Sequence, residues 1–207
     1  EQRLVFAGST SYPQTIWASE SGLYEEFDVG DGSAADAFIY TIAANKVNSI
    51  RWLAPAPRDL ILGTVGGEFQ VNRPAGEPLK PDNVQIKQTT TYGSHTTQPI
   101  LIGSTIMFFQ RQKARLKELA YSFQYDAYVA PDMTLLAEHI TGDGVVDVDY
   151  AQEPDSVFWA VREDGVLLGM TYQREEEVVA WHRHLLGGKK QACTATVSDY
   201  ANIVTGS

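Results

Sequence analysis

The chain carries one cysteine, Cys193. That excludes a disulfide framework within it and any zinc site built on several cysteines. Positive charge is scarce. Sixteen Lys and Arg face 26 Asp and Glu, a net charge of −10. This is the wrong balance for a free-standing nucleic-acid binder, whose affinity rests on neutralising phosphates, although it leaves room for a local basic stripe. No apolar run approaches the roughly 18 residues a membrane-spanning helix needs, so no stable membrane insertion is expected. No signal peptide is visible. Catalytic motifs are missing too: there is no Gly-x-Ser-x-Gly, no His-Glu-x-x-His, no Walker loop and no Gly-x-Gly-x-x-Gly. What remains is an ordinary globular composition, 43% hydrophobic and 20% charged over 207 residues. That suffices for one large domain or two small ones. The chain opens on Glu1-Gln2-Arg3, without Met, straight into an apolar run. It reads as processed, or as a piece of something longer.

Strand signals dominate what is present. Short runs rich in Val, Ile, Phe, Tyr and Trp are bounded by Gly, Pro, Asp, Asn and Ser. The clearest stretch divides into Val145–Ala151, Ser156–Arg162, Val166–Tyr172 and Val178–His184, which reads as an antiparallel meander with three short turns. Asp164-Gly165 is a hairpin signal, because Asp tolerates and Gly favours the positive φ of such turns. The same unit recurs more loosely upstream. The first copy offers Arg3–Ala7, Thr15–Ser19, Leu23–Phe27 and Phe38–Ala43; the second, Val47–Leu53, Asp59–Thr64, Glu68–Asn72 and Val84–Thr90. The third offers Ile100–Ile102, Thr105–Gln110 and Arg115–Tyr121 before the pattern breaks. Central turns at Gly22, Gly67, Lys113 and Gly165 are spaced by 45, 46 and 52 residues.

A period of about 40–50 residues with four strands each is the signature of β-propeller blades. The expectation is therefore an all-β, β-propeller-like array of four-stranded antiparallel meanders. It forms a single domain over 1–207, with repeat units 1–46, 47–98, 99–144 and 145–207. A β-sandwich is the alternative, since strands and turns alternate there as well. Four blades sit at the lower limit of closed propellers, which favours part of a larger propeller. One short helical insertion is predicted at Pro131 to Ile140, with Asp132 as its cap and Leu135, Leu136, His139 and Ile140 on the face laid against the sheets.

Candidate chemistry is sparse, and the chain reads as a non-enzyme without cofactor or metal. Gly187-Gly188-Lys189-Lys190 is a turn with two solvated lysines. His182 and His184 share one face of a strand, opposite Trp181 and Arg183, but two imidazoles without a third ligand fall short of a metal site. Asp28, Asp31 and Asp36, and likewise Asp143, Asp147 and Asp149, lack the calcium-loop spacing and read as turn formers. Glu175-Glu176-Glu177 reads as an exposed loop. One stretch stands out: Arg111, Lys113, Arg115 and Lys117 recur at period two, which on a strand or hairpin arm projects a basic stripe from one face, with Leu116 and Leu119 anchoring the other. Such a stripe fits a strand edge guarded against aggregation, or a contact with DNA or a partner.

The run from Glu153-Pro154-Asp155-Ser156-Val157-Phe158-Trp159 through Arg162-Glu163-Asp164-Gly165 to Met170-Thr171-Tyr172 resembles a segment of tailed-phage virion proteins. So do Glu177-Val178-Val179-Ala180-Trp181-His182-Arg183-His184, Arg3-Leu4-Val5-Phe6-Ala7-Gly8-Ser9, Pro13–Trp17, Asn48–Leu53, Leu119–Phe123 and Asp132–His139. The resemblance spans about residues 3–185 and lies in word order, not in a catalytic motif. Leu185 to Ser207 fits it poorly. The similar proteins are tail-tube or tail-nozzle components (tail tubular protein B-like) of short-tailed phages and prophages. The resemblance implies a propeller-rich piece of a longer chain, assembled in rings with copies of itself, typically sixfold, below the portal and its adaptor. Tail fibre or spike proteins are further partners, and DNA passes through transiently at ejection. Location in the virion, after synthesis in the bacterial host cytoplasm, follows. A carbohydrate-binding or carbohydrate-active propeller for host attachment is the alternative, given four tryptophans and ten tyrosines for sugar stacking; a host-encoded interaction scaffold is a third reading.

Overall fold

A computed structural model of the chain describes residues 2–43, 48–57, 59–74, 77 and 79–185. Cys193, the Gly187–Lys190 turn and the start of the second expected unit at Val47 lie outside them. Among the described residues the protein is nearly all β, with four antiparallel sheets in chain order and one short helix. The first sheet contains β1 (Val5–Ala7), β2 (Thr15–Ala18) and β3 (Phe38–Thr41). The second contains β4 (Ile50–Pro55), β5 (Leu60–Thr64), β6 (Gly67–Asn72) and β7 (Gln85–Thr90). The third contains β8 (Ile100–Ile102), β9 (Thr105–Phe109), β10 (Leu116–Ser122) and β11 (Ala127–Val129). The fourth contains β12 (Val145–Ala151), β13 (Val157–Arg162), β14 (Leu167–Gln173) and β15 (Val178–His184). Each sheet pairs its strands in sequence order and falls inside one expected repeat unit, so the fold is the propeller-like meander array.

Short turns enforce this local pairing. β5 and β6 are joined through Val65-Gly66, with Thr64 opposite Gly67. β8 and β9 turn at Gly103, whose φ of 60° suits a glycine. At the β13–β14 turn, Gly165 has a φ of 81° and its amide donates to the Arg162 carbonyl at 2.9 Å. Asp164 Oδ1 accepts from the Val166 amide at 3.1 Å. The Asp-Gly pair thus shapes the hairpin through backbone conformation and a side-chain acceptor together.

The chain divides into two compact units, Glu1–Arg111 with Lys117–Pro131, and Gln112–Leu116 with Asp132–Ser207. In the first unit, β5 shows why its strand signal is continuous. Leu62 joins a core of Ile16, Ala18, Phe38, Ile50, Phe69 and Val71. Its neighbour Ile61 joins a second core with Trp52, Ile106, Phe108 and Leu119. Adjacent residues point to opposite faces, so both faces of β5 are covered. In the second unit, β13 alternates: Phe158, Ala160 and Arg162 are buried, while Val157, Trp159 and Val161 are half-buried. Leu168 and Met170 of β14 are fully buried.

Three expectations are corrected. Leu23–Phe27 is not a strand, and the first sheet has three strands among the described residues rather than four. After Gly22, at φ 80°, the chain coils through successive turns, with the Leu23 amide on the Glu20 carbonyl and the Glu26 amide on the Leu23 carbonyl. The free side of β2 goes to β3 instead, pairing Ile16 with Tyr40 and Ala18 with Phe38. That choice buries Phe38 beside Ile16 and Ala18, while Leu23 and Tyr24 remain about half exposed. Second, β11 is a strand where the meander pattern was read as broken. Third, helix α1 covers only Glu138–Thr141. Asp132 Oδ1 accepts from the Thr134 amide at 2.9 Å and from its hydroxyl at 2.6 Å. This closes an Asx turn rather than capping a helix, a standard competition for Asp. Of the expected face only Ile140 is buried, while Leu135, Leu136 and His139 are exposed.

Candidate functional site

The four basic positions are divided between the units. Arg111 and Lys117 belong to the first, Lys113 and Arg115 to the second. The turn that joins β9 to β10 breaks the expected alternation, because Lys113 adopts a φ of 63°. Three of the four charges are engaged inside the chain. The Lys113 ammonium lies 2.5 Å from Glu163. The Arg115 guanidinium spans Asp132 at 3.3 Å and Glu138 at 2.7 Å. Lys117 is buried, with its ammonium 4.4 Å from the centre of the Tyr92 ring, a cation–π contact. Arg111 is exposed and forms no ion pair with a described residue. Both Leu116 and Leu119 are buried, as expected of anchors, but every residue from Leu116 to Ala120 is buried. β10 therefore has no solvated face there from which a stripe could project.

The acidic clusters do local work. Asp28 Oδ1 accepts from the Gly30 amide at 3.2 Å and Asp36 Oδ2 from the Ser33 amide at 2.6 Å. Asp147 and Asp149 accept from the amides of Val148 and Tyr150. Asp143 pairs with Arg162 at 2.7 Å. Arg162 is the hub of its unit: its guanidinium is buried, grips Asp164 and donates to the Ile140 carbonyl at 2.8 Å. Glu175, Glu176 and Glu177 form an exposed loop. Among the described residues no three His, Cys, Asp or Glu side chains gather as a metal centre.

His182 and His184 share one side of β15, as their spacing requires, and the structure brings them closer than the spacing alone demands. His182 Nδ1 lies 2.7 Å from His184 Nε2. Trp159 of β13 lies against both rings, with centroids 6.1 and 4.9 Å away. Between these strands, Gly169 of β14 faces both Trp159 and His182 in register. A Cβ at Gly169 would sit 2.1 Å from His182 Cε1, so the missing side chain is what lets the imidazole lie down on the sheet. Burial, and then the neighbouring His184, hold the His182 imidazole below the usual histidine range.

Sequence reasoning missed Glu68 of β6, a fully buried carboxyl. Its Oε1 accepts from the Ser94 hydroxyl at 2.8 Å and its Oε2 from the Thr90 hydroxyl. Burial pushes its carboxyl above the usual range, against the pull of those hydrogen bonds. Nothing in Gly67-Glu68-Phe69 signals this, since the partners lie more than twenty residues away.

The four tryptophans occupy different settings. Trp52 is buried and tilts against Phe108. Trp17, Trp159 and Trp181 are half-buried, and Trp181 Nε1 donates to the Met133 carbonyl at 2.8 Å. A cleft lined by Trp181 and Met133 holds the single carboxylate Asp132. A cleft of about 500 Å³ in the first unit, lined by Arg3, Phe38 and Leu60, holds Asp59 as its one carboxylate among the described residues.

The described fold and these constellations define a propeller-like meander protein. Its chain matches no known family profile and no curated protein.

Proposed function

We propose that the chain is a structural virion protein of a phage tail, part of a ring or nozzle through which DNA passes at ejection. The observation that carries this reading is the serial meander itself. The word-order resemblance over residues 3–185 falls on strands and turns of a repeated sheet unit, and two buried ionisable side chains, Glu68 and Arg162, are spent on internal bonds. Such an array suits a wall. A net charge of −10 suits a conduit, because repulsion from a like-charged lumen keeps passing DNA from sticking. The partners of this reading are further copies of the chain, the portal adaptor, and fibre or spike proteins.

Exposed apolar residues also support assembly. Phe6, Trp17 and Ile39 lie side by side across the first sheet by register, and Phe6 and Ile39 are about half exposed. Patches of this kind mark contact surfaces. The test is assembly of the purified chain, and of its full open reading frame, followed by light scattering and electron microscopy. Rings support the reading; a monomer at every concentration, from a gene remote from tail and portal genes, removes it. DNA contact at Arg111, Lys113, Arg115 and Lys117 is tested separately, by changing all four to Ser. Unchanged ejection removes that part alone.

A further inference from the structure

We propose that His182 and His184 form a bidentate chelate for one divalent transition-metal ion, Cu(II) or Ni(II). The pair sits on β15, which among the described residues is paired on one side only, to β14. Both rings are half-buried, so one side of the pair is open to solvent. The other side is built. Gly169 provides the floor under His182, and Trp159 provides the wall against both rings. The two imidazoles are therefore held together before any ligand arrives, which removes much of the rotamer cost of binding.

The geometry selects the ion. Histidine nitrogens bind such metals at about 2.0–2.1 Å. Two nitrogens 2.7 Å apart at that range subtend roughly 80° at the ion. This is near the right angle between neighbouring ligands of a square-planar or octahedral ion, whereas the tetrahedral angle of zinc requires the pair to open further once their shared proton is gone. Tetragonal nitrogen sites are those of Cu(II) and Ni(II). Water fills the remaining positions on the open side. The change needs no redox partner. Without metal, one ring donates its N–H to the other. On binding, the donor ring carries that proton on its other nitrogen, by exchange with water. Each facing nitrogen then gives a lone pair to the ion.

The test uses the full chain titrated with Cu(II), Ni(II) and Zn(II), followed by calorimetry and, for Cu(II), electron paramagnetic resonance. The expected result is one tetragonal Cu(II) site per chain with splitting from two imidazole nitrogens. His184→Ala weakens it at least tenfold, since even supporting groups around a metal matter on that scale. Zn(II) binds more weakly than either other ion. His139→Ala, on the exposed turn of α1, leaves the site intact. Binding that His184→Ala leaves unchanged, or a spectrum without imidazole nitrogen, overturns the proposal. An equally tight Zn(II) complex overturns the geometric selection. Should His184→Ala disturb the sheet by circular dichroism, His184→Gln serves in its place, with the same loss expected.

Discussion

The first and last sheets were built from similar sequence signals and came out differently. In the last sheet all four expected strands form, joined by turns of a few residues whose closing bonds are local: the Gly165 amide to the Arg162 carbonyl, Asp164 to the Val166 amide. In the first sheet the third expected strand is lost, and β2 and β3 are separated by a long connection. That connection is held from far away. Arg3 Nη1 donates to the carbonyls of Ser19 at 2.6 Å and Asp36 at 2.7 Å, and its Nη2 to the carbonyl of Ala34 at 2.7 Å. A hairpin with a dedicated turn specifies its own pairing. A strand-like run without one yields its place to whichever segment buries more apolar surface.

The strongest way to break the comparison is to empty the core of the last sheet. Phe158→Ala removes a fully buried ring from β13 and should cost about 3–5 kcal/mol. Urea unfolding measures it, and a cost below 1 kcal/mol would show that the local turns alone hold that sheet. Next in size is Arg3→Met, which orphans three carbonyls and should cost about 2 kcal/mol. Limited proteolysis should then cut within 20–37 while 145–184 stays protected; equal protection of both regions would contradict the role given to Arg3. Asp164→Asn weakens the grip on Arg162 and the local turn together, at about 1–2 kcal/mol, because Asp143 and the Ile140 carbonyl remain. Hydrogen exchange should rise at Val166 and its neighbours before it rises elsewhere.

The smallest effect belongs to neither sheet. Glu68, in the second, has its folded pKa raised by burial. Its contribution to stability is therefore fully present below the unfolded carboxyl value and is lost as pH rises through the folded one. Glu68→Gln should be more stable than the parent near neutral pH, by about 1 kcal/mol, with the advantage vanishing toward acid. Unfolding curves at several pH values check this, and a constant difference would place the pH dependence elsewhere.

Legibility followed the same divide. The three hairpins of the last sheet were readable because Asp164-Gly165 and the runs around it carry their signal within a few residues. β11 was missed because Ala127–Val129 is too short to show a period. Pro131–Ile140 was overread, since helical spacing of its apolar residues said nothing about the Asx turn at Asp132. Of the candidate sites, the shared face of His182 and His184 was visible at spacing two. Their approach to 2.7 Å was not, because it depends on Gly169 and Trp159 from two other strands. The basic positions were legible only as an alternation: charge at period two says which residues alternate, not whether both sides of the strand are covered.

The sequence by itself determined the class of the protein: strands, short turns and a repeat near fifty residues point to an all-β array, with propeller-like meanders ahead of a sandwich. Those are properties of neighbouring residues, and backbone geometry enforces them locally. Tertiary structure alone decided which strand flanks β2, which charges are buried, and which rings meet. Each of those outcomes is a competition for partners more than ten residues away. Burial and hydrogen bonding settle such competitions, and no stretch of the chain records them on its own.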